Sequence, residues 1–137
     1  MFFKKNKREN EDKNFVKIAS LLIHAAKIDE NFSKTEEKII TEALLKLGAK
    51  NESLESIIKA GKLMEENANQ ILDFTREVKN MDKNKKIQII ETLWQIIYSN
   101  KEADIYETNL MRRLAGLLYV DNKTMGDIKE KIKKENS

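Results

Sequence analysis

Apolar residues recur along this chain every three to four positions, the spacing of one face of an α-helix. Phe15, Ile18, Leu22 and the pair Ala25 and Ala26 make a first stripe, with Asn14 placed to cap its start. Ile39, Ile40, Ala43, Leu44 and Leu47 make a second, which stops at Gly48. Leu54, Ile57, Ile58, Gly61 and Met64 make a third, and Ile71, Phe74 and Val78 a fourth. Ile87, Ile90, Leu93, Trp94 and Ile97 make a fifth, and Leu110, Met111, Leu114, Leu117 and Leu118 a sixth. Met125, Ile128 and Ile132 make a weak seventh, opened by Asp121. No convincing stretch alternates with period two. The pattern predicts an all-α chain of about seven amphipathic helices in a pseudo-symmetric bundle, joined by short loops.

Two positions inside these stripes carry further expectations. Gly61 lies within the third helix, where glycine costs about 1 kcal/mol relative to alanine. Close approach of a neighbouring helix is the expected reason. Trp94 is the only tryptophan and lies on the fifth stripe, so it is expected in the core.

An offset of 71 residues lays the chain on itself without gaps. Ile18, Ala19, Leu22, Ile23 and Ala26 fall on Ile89, Ile90, Leu93, Trp94 and Ile97. Ile39, Ile40, Ala43, Leu44 and Leu47 fall on Leu110, Met111, Leu114, Ala115 and Leu118. Between these stripes, Asp29, Ser33 and Glu36 fall on Asn100, Asp104 and Glu107. The repeat unit is helix, polar loop, helix. The polar triplet is its most informative part, because helical periodicity alone aligns easily.

The triplet has a structural explanation. Ser33-Lys34-Thr35-Glu36 is a capping box: the serine hydroxyl accepts from the backbone N–H three residues on, and the glutamate reaches back to the cap N–H. Asp104-Ile105-Tyr106-Glu107 matches it with aspartate as the cap. Caps do not account for Asp29, Glu30, Asn31, Asn100 and Glu102. Asp29, Asn31 and Ser33 take spacings one, three and five, as do Asn100, Glu102 and Asp104, which is how a calcium loop begins. The EF-hand glycine at position six is Lys34 or Ile105, and its bidentate glutamate at twelve is Ile40 or Met111. An EF-hand is therefore rejected. Helix capping and a looser oxygen site for a divalent cation both stay open.

Composition narrows the chemistry. The 137 residues suit one domain, with a flexible basic segment over 1–13 ahead of a helical domain over 14–134. The chain has no cysteine, no proline and one histidine, His24. Disulfides, thiolate zinc sites, cysteine nucleophiles and two-histidine metal motifs are excluded. His24 aligns with Gln95 in the repeat and is expected on a helix flank. Nothing pairs a carboxylate with a nucleophile or a phosphate loop, so no catalytic residue is assigned.

Charge is polarised towards the ends. Residues 1–14 and 123–137 each hold five basic and three acidic residues, while the stretch between holds 16 basic and 17 acidic. Net charge is +3. A basic patch on the folded body is not expected from this balance, nor is nucleic-acid binding. No apolar run approaches the length of a membrane helix. The start, Met1-Phe2-Phe3 followed by lysines, is ordered wrongly for a secretory signal, and the expected location is the cytoplasm.

Three blocks resemble the TerB family of tellurite-resistance-type proteins. The first is Leu22-Ile23-His24-Ala25-Ala26-Lys27-Ile28-Asp29 with Phe32-Ser33 and Glu36-Glu37. The second is Asp73-Phe74-Thr75-Arg76-Glu77. The third runs from Leu93-Trp94-Gln95-Ile96-Ile97-Tyr98-Ser99 through Glu102, Asp104 and Tyr106-Glu107 to Leu110-Met111-Arg112-Arg113-Leu114-Ala115. The resemblance spans residues 14–134 and implies seven helices in two related bundles. It implies a cytoplasmic, non-enzymatic interaction module in tellurite resistance and chemical-stress response, with a protein partner and a membrane-associated stress complex. It also implies acidic surfaces that bind a divalent cation, calcium or magnesium. By position, the candidate ligands are Asp29, Glu36, Glu102, Asp104 and Glu107. The family's Asp-Gly turns read Asp29-Glu30 and Asn100-Lys101 here, so the second loop should attract a cation less than the first. A protein scaffold without metal is the main alternative, and an uncharacterised enzyme a lesser one.

Overall fold

The structure is a computed structural model that describes residues 2–27, 33–67, 75, 78–99 and 105–135, with side chains described for these except 2–12 and 105–107. The described residues form six α-helices and no strand. These are α1 (Phe2–Ala26), α2 (Lys34–Lys46), α3 (Leu54–Asn67), α4 (Lys83–Tyr98), α5 (Ile105–Leu117) and α6 (Asn122–Glu135). A 3-10 turn, Asn51–Ser53, leads into α3. The fourth apolar stripe falls largely outside the described residues. Its described member, Val78, is helical and buried, as is the neighbouring Thr75.

The central helices are α1 and α4. Between Ile18 and Ala26 only the side chain of His24 reaches solvent appreciably, and most of Ile89–Tyr98 is buried likewise. A helix apolar nearly all round must be enclosed by others. Here α3 covers α1, α6 covers α4, and α1 and α2 both pack on α4, which joins the halves. The core centres on Ile18, Leu22, Leu44, Ile57, Ile90 and Leu93.

Asn14 does not cap α1. Helical backbone runs through it from Phe2, and residues 2–13, expected as a flexible segment, are part of that helix. The upstream lysines, glutamates and arginine are good helix formers, and no glycine or proline stops propagation there. Three other expected boundaries hold, while the expected cap at Asp104 lies outside the described residues. Ser33 forms a complete capping box with Glu36, Asp121 caps α6, and α2 stops at Gly48 with φ of 110°. Asp82, not picked out by the apolar stripes, caps α4 by accepting from Lys85 N at 2.9 Å.

The repeat extends further than the sequence pattern revealed. At the same offset α2 maps end to end onto α5, and the turn-plus-helix beginning at Asn51 maps onto α6, which begins at Asn122. Each half is a three-helix unit. Both middle helices end in a Schellman motif. Ala49 N donates to Leu44 O at 2.9 Å and Gly48 N to Leu45 O at 3.1 Å. Val120 N donates to Ala115 O at 2.9 Å and Tyr119 N to Gly116 O at 3.3 Å.

The halves differ in how closely their outer helices approach. A Cβ on Gly61 would lie 2.9 Å from Ala19 Cβ, so α3 sits against α1 with no room for alanine. Ser20 Oγ, 2.8 Å from Val16 O and 3.1 Å from Gly61 O, bridges the same contact. At the matching place in the second half, Ile132 faces the helix carrying Ile90, and both are buried. Glycine at 61 is explained by close approach, as expected.

Candidate functional site

The acidic candidates converge, in sequence, on the starts of α2 and α5. Glu36 is the one whose side chain the structure describes. It is 2% exposed, and its Oε1 accepts from Ser33 N and Ser33 Oγ, each at 3.0 Å. Glu36 N in turn donates to Ser33 Oγ at 3.1 Å. The burial is supported because the carboxylate accepts charge-assisted hydrogen bonds at the positive end of α2. Glu107 lies on the first turn of α5, at the position matching Glu36, with its side chain outside the described residues. Asp29, Glu102 and Asp104 also lie outside the described residues. Among the described residues no three His, Asp or Glu side chains gather to hold a metal ion.

The exit of α1 carries a separate polar cluster. Glu65 on α3 accepts from Lys27 Nζ at 2.8 Å and faces His24 Nδ1 at 3.4 Å. The Lys27 ammonium is held above its ordinary pKa, first by that hydrogen bond and then by the nearby charges of Glu65 and Glu66. His24 is partly exposed on the helix flank, where the sequence placed it.

Trp94 is 3% exposed and packs in the core of the second half. Its ring stacks on Tyr98 with centroids 5.9 Å apart, and Lys129 Nζ lies 5.4 Å above it. Among the described residues its Nε1 has no hydrogen-bond partner.

A further feature escaped the sequence reading. A cavity of about 310 Å³ opens where the start of α4 meets the turn between α5 and α6. Lys83, Lys86, Tyr119 and Thr124 line it. The Tyr119 ring lies 5.8 Å from Lys79 Nζ and 5.9 Å from Lys86 Nζ. Lys86 Nζ also donates to Leu118 O at 3.0 Å, satisfying a carbonyl at the end of α5. Asp121 lines the same cavity and accepts from Thr124 N at 2.6 Å. Its carboxyl is held below the usual carboxylate range by its hydrogen bonds from Thr124, aided by Lys83 and Lys123. Counting charge over the whole body concealed this basic cluster, because acidic residues elsewhere balance it. The signal lay in the repeat, where Lys86 and Tyr119 stand opposite Phe15 and Gly48.

Two related three-helix units whose middle helices both end in a Schellman motif define an all-α repeat domain. The chain belongs to the TerB family: the family model described as tellurite resistance protein TerB matches residues 15–130. Comparisons with curated proteins and with solved structures find no match. No helix among the described residues is long and apolar enough to cross a membrane.

Proposed function

We propose that this TerB-family chain is a non-enzymatic interaction module of a tellurite-resistance or chemical-stress response in the cytoplasm, steadied by a divalent cation at its inter-helix loops. The observation that carries the reading is the family match over nearly the whole folded body. Asp29, Glu36, Glu102, Asp104 and Glu107 would hold the ion. Their oxygen-only donor set suits calcium or magnesium, which are hard cations, better than softer metals. Glu36 would be a pre-placed ligand, since its cap hydrogen bonds fix the carboxylate at the start of α2. The bound ion would clamp the loops that join each helix pair and so set the surface offered to a protein partner, including one in a membrane-associated stress complex.

Thermal melts of metal-free protein titrated with calcium and magnesium test the cation. Saturation at about 100 times the dissociation constant adds about 2.7 kcal/mol, which raises the melting temperature by several degrees. Asp29→Ala should remove most of that rise and Glu102→Ala less of it. A melt unchanged by millimolar calcium and magnesium overturns the cation reading and leaves the acidic residues as helix caps. Co-purification of a specific partner from stressed cells tests the interaction role.

A further inference from the structure

The two halves treat one junction in opposite ways. In the first half, Phe15, midway along α1, lies against the turn after α2. A Cβ on Gly48 would meet its ring edge at 3.9 Å. Glycine there adopts positive φ freely, and the aromatic belongs to the helix. In the second half the pair is exchanged. Lysine 86 stands on the helix and Tyr119 on the turn. Tyr119 holds φ of 57°, a left-handed conformation that strains a non-glycine residue. It is nonetheless 75% exposed, so packing does not explain the choice.

The charges around it also run against local stability. The first turn of α4 contains Lys83, Lys85 and Lys86 and no acid, and that of α6 contains Lys123 and no acid. Cations at a helix start oppose the helix dipole, where acidic residues would be favoured. One backbone N–H at each start is already taken, Lys85 N by Asp82 and Thr124 N by Asp121. The ammonium groups bring three donors each and a full charge toward an anion. Asp121 is the single carboxylate lining the cavity, and Lys83 and Lys123 offset it.

We propose that the cavity between the start of α4 and the α5–α6 turn binds a phosphate-bearing ligand, gripped by Lys83 and Lys86 beside the exposed ring of Tyr119. The volume suits a small ligand or a headgroup. Tyr119 presents an aromatic wall that steadies the Lys86 ammonium by cation–π attraction, with Lys79 at a similar distance from the same ring. This inference is independent of the cation proposed for the acidic loops.

Amide NMR of the full chain tests it with inorganic phosphate, pyrophosphate and vesicles containing phosphatidic acid, against chloride at matched ionic strength and neutral vesicles. The expected result is saturable shifts confined to residues around Lys83, Lys86, Tyr119 and Thr124. Lys83→Ala should weaken binding about tenfold, equivalent to one 1.4 kcal/mol step. Tyr119→Gly should weaken it similarly while the melting temperature stays near that of the parent, because relief of the left-handed strain offsets the lost ring contacts. Shifts with the free anions identify a soluble ligand. Variant-sensitive binding to phosphatidic acid vesicles alone identifies the same chemistry on a lipid. Shifts reproduced by chloride, binding equal in both variants, or no shift with any probe would overturn the proposal.

Discussion

Gly61 and Gly126 give opposite answers to one substitution. Both lie inside helices, where replacing glycine by alanine gains about 0.5–1 kcal/mol when space permits. At Gly126 an added Cβ meets nothing within 4 Å, so Gly126→Ala should raise the melting temperature. At Gly61 the methyl group would strike Ala19 at 2.9 Å. Overpacking of that kind costs about 1–3 kcal/mol, so Gly61→Ala should lower the melting temperature despite its better helix propensity. Thermal denaturation of the pair checks both, and equal shifts of one sign would contradict the close packing of α1 on α3. Sequence could suggest why Gly61 is glycine because it interrupts a strong stripe. It could not flag Tyr119, since an αL conformation leaves no mark on a tyrosine until the turn after α5 is seen.

At the scale of elements, the caps carry the testable content. Ser33→Ala should cost about 1 kcal/mol, with a further loss because buried Glu36 then gives up a hydroxyl partner. Chemical denaturation measures the difference. Asp121 caps α6 with its carboxylate held below its usual pKa, so the cap contributes at and above the ordinary carboxylate range and is lost as the pH falls through and below it. An acid titration followed by circular dichroism should show the parent losing stability relative to Asp121→Asn as the pH falls below the ordinary carboxylate range, the two curves converging at the acid end. Helix existence was legible because the stripes are long and periodic. The start of α1 was not, because its first turns are charged and carry no apolar stripe. Of the acidic site, the capping role of Ser33 and Glu36 was legible from spacing alone, since a capping box is a local motif. Convergence of distant loops is a tertiary property that spacing does not encode.

At the scale of the molecule, the chain is two copies of one three-helix unit that have diverged at their contacts. The first copy packs its outer helix tightly through Gly61 and places Phe15 against the turn after α2. The second substitutes Ile132 and Lys86 at those places, so its cavity of about 310 Å³ is lined by Lys83 and Lys86, where the matching cavity of the first, about 250 Å³, is lined by Phe15, Ile18 and Leu47 beside Lys85. The 71-residue offset exposed the duplication in the sequence, and the divergent positions within it mark where the copies differ in packing and charge. The family match gives the whole its place among TerB proteins. An amide NMR titration of the metal-free chain with calcium tests the cation site most directly. Amides beside Ser33 and Glu36 and those beside Glu107 should shift together along one saturation curve, and Asp29→Ala should weaken it. Shifts absent from both helix starts, or unaltered by Asp29→Ala, would contradict a cation site built from the acidic loops.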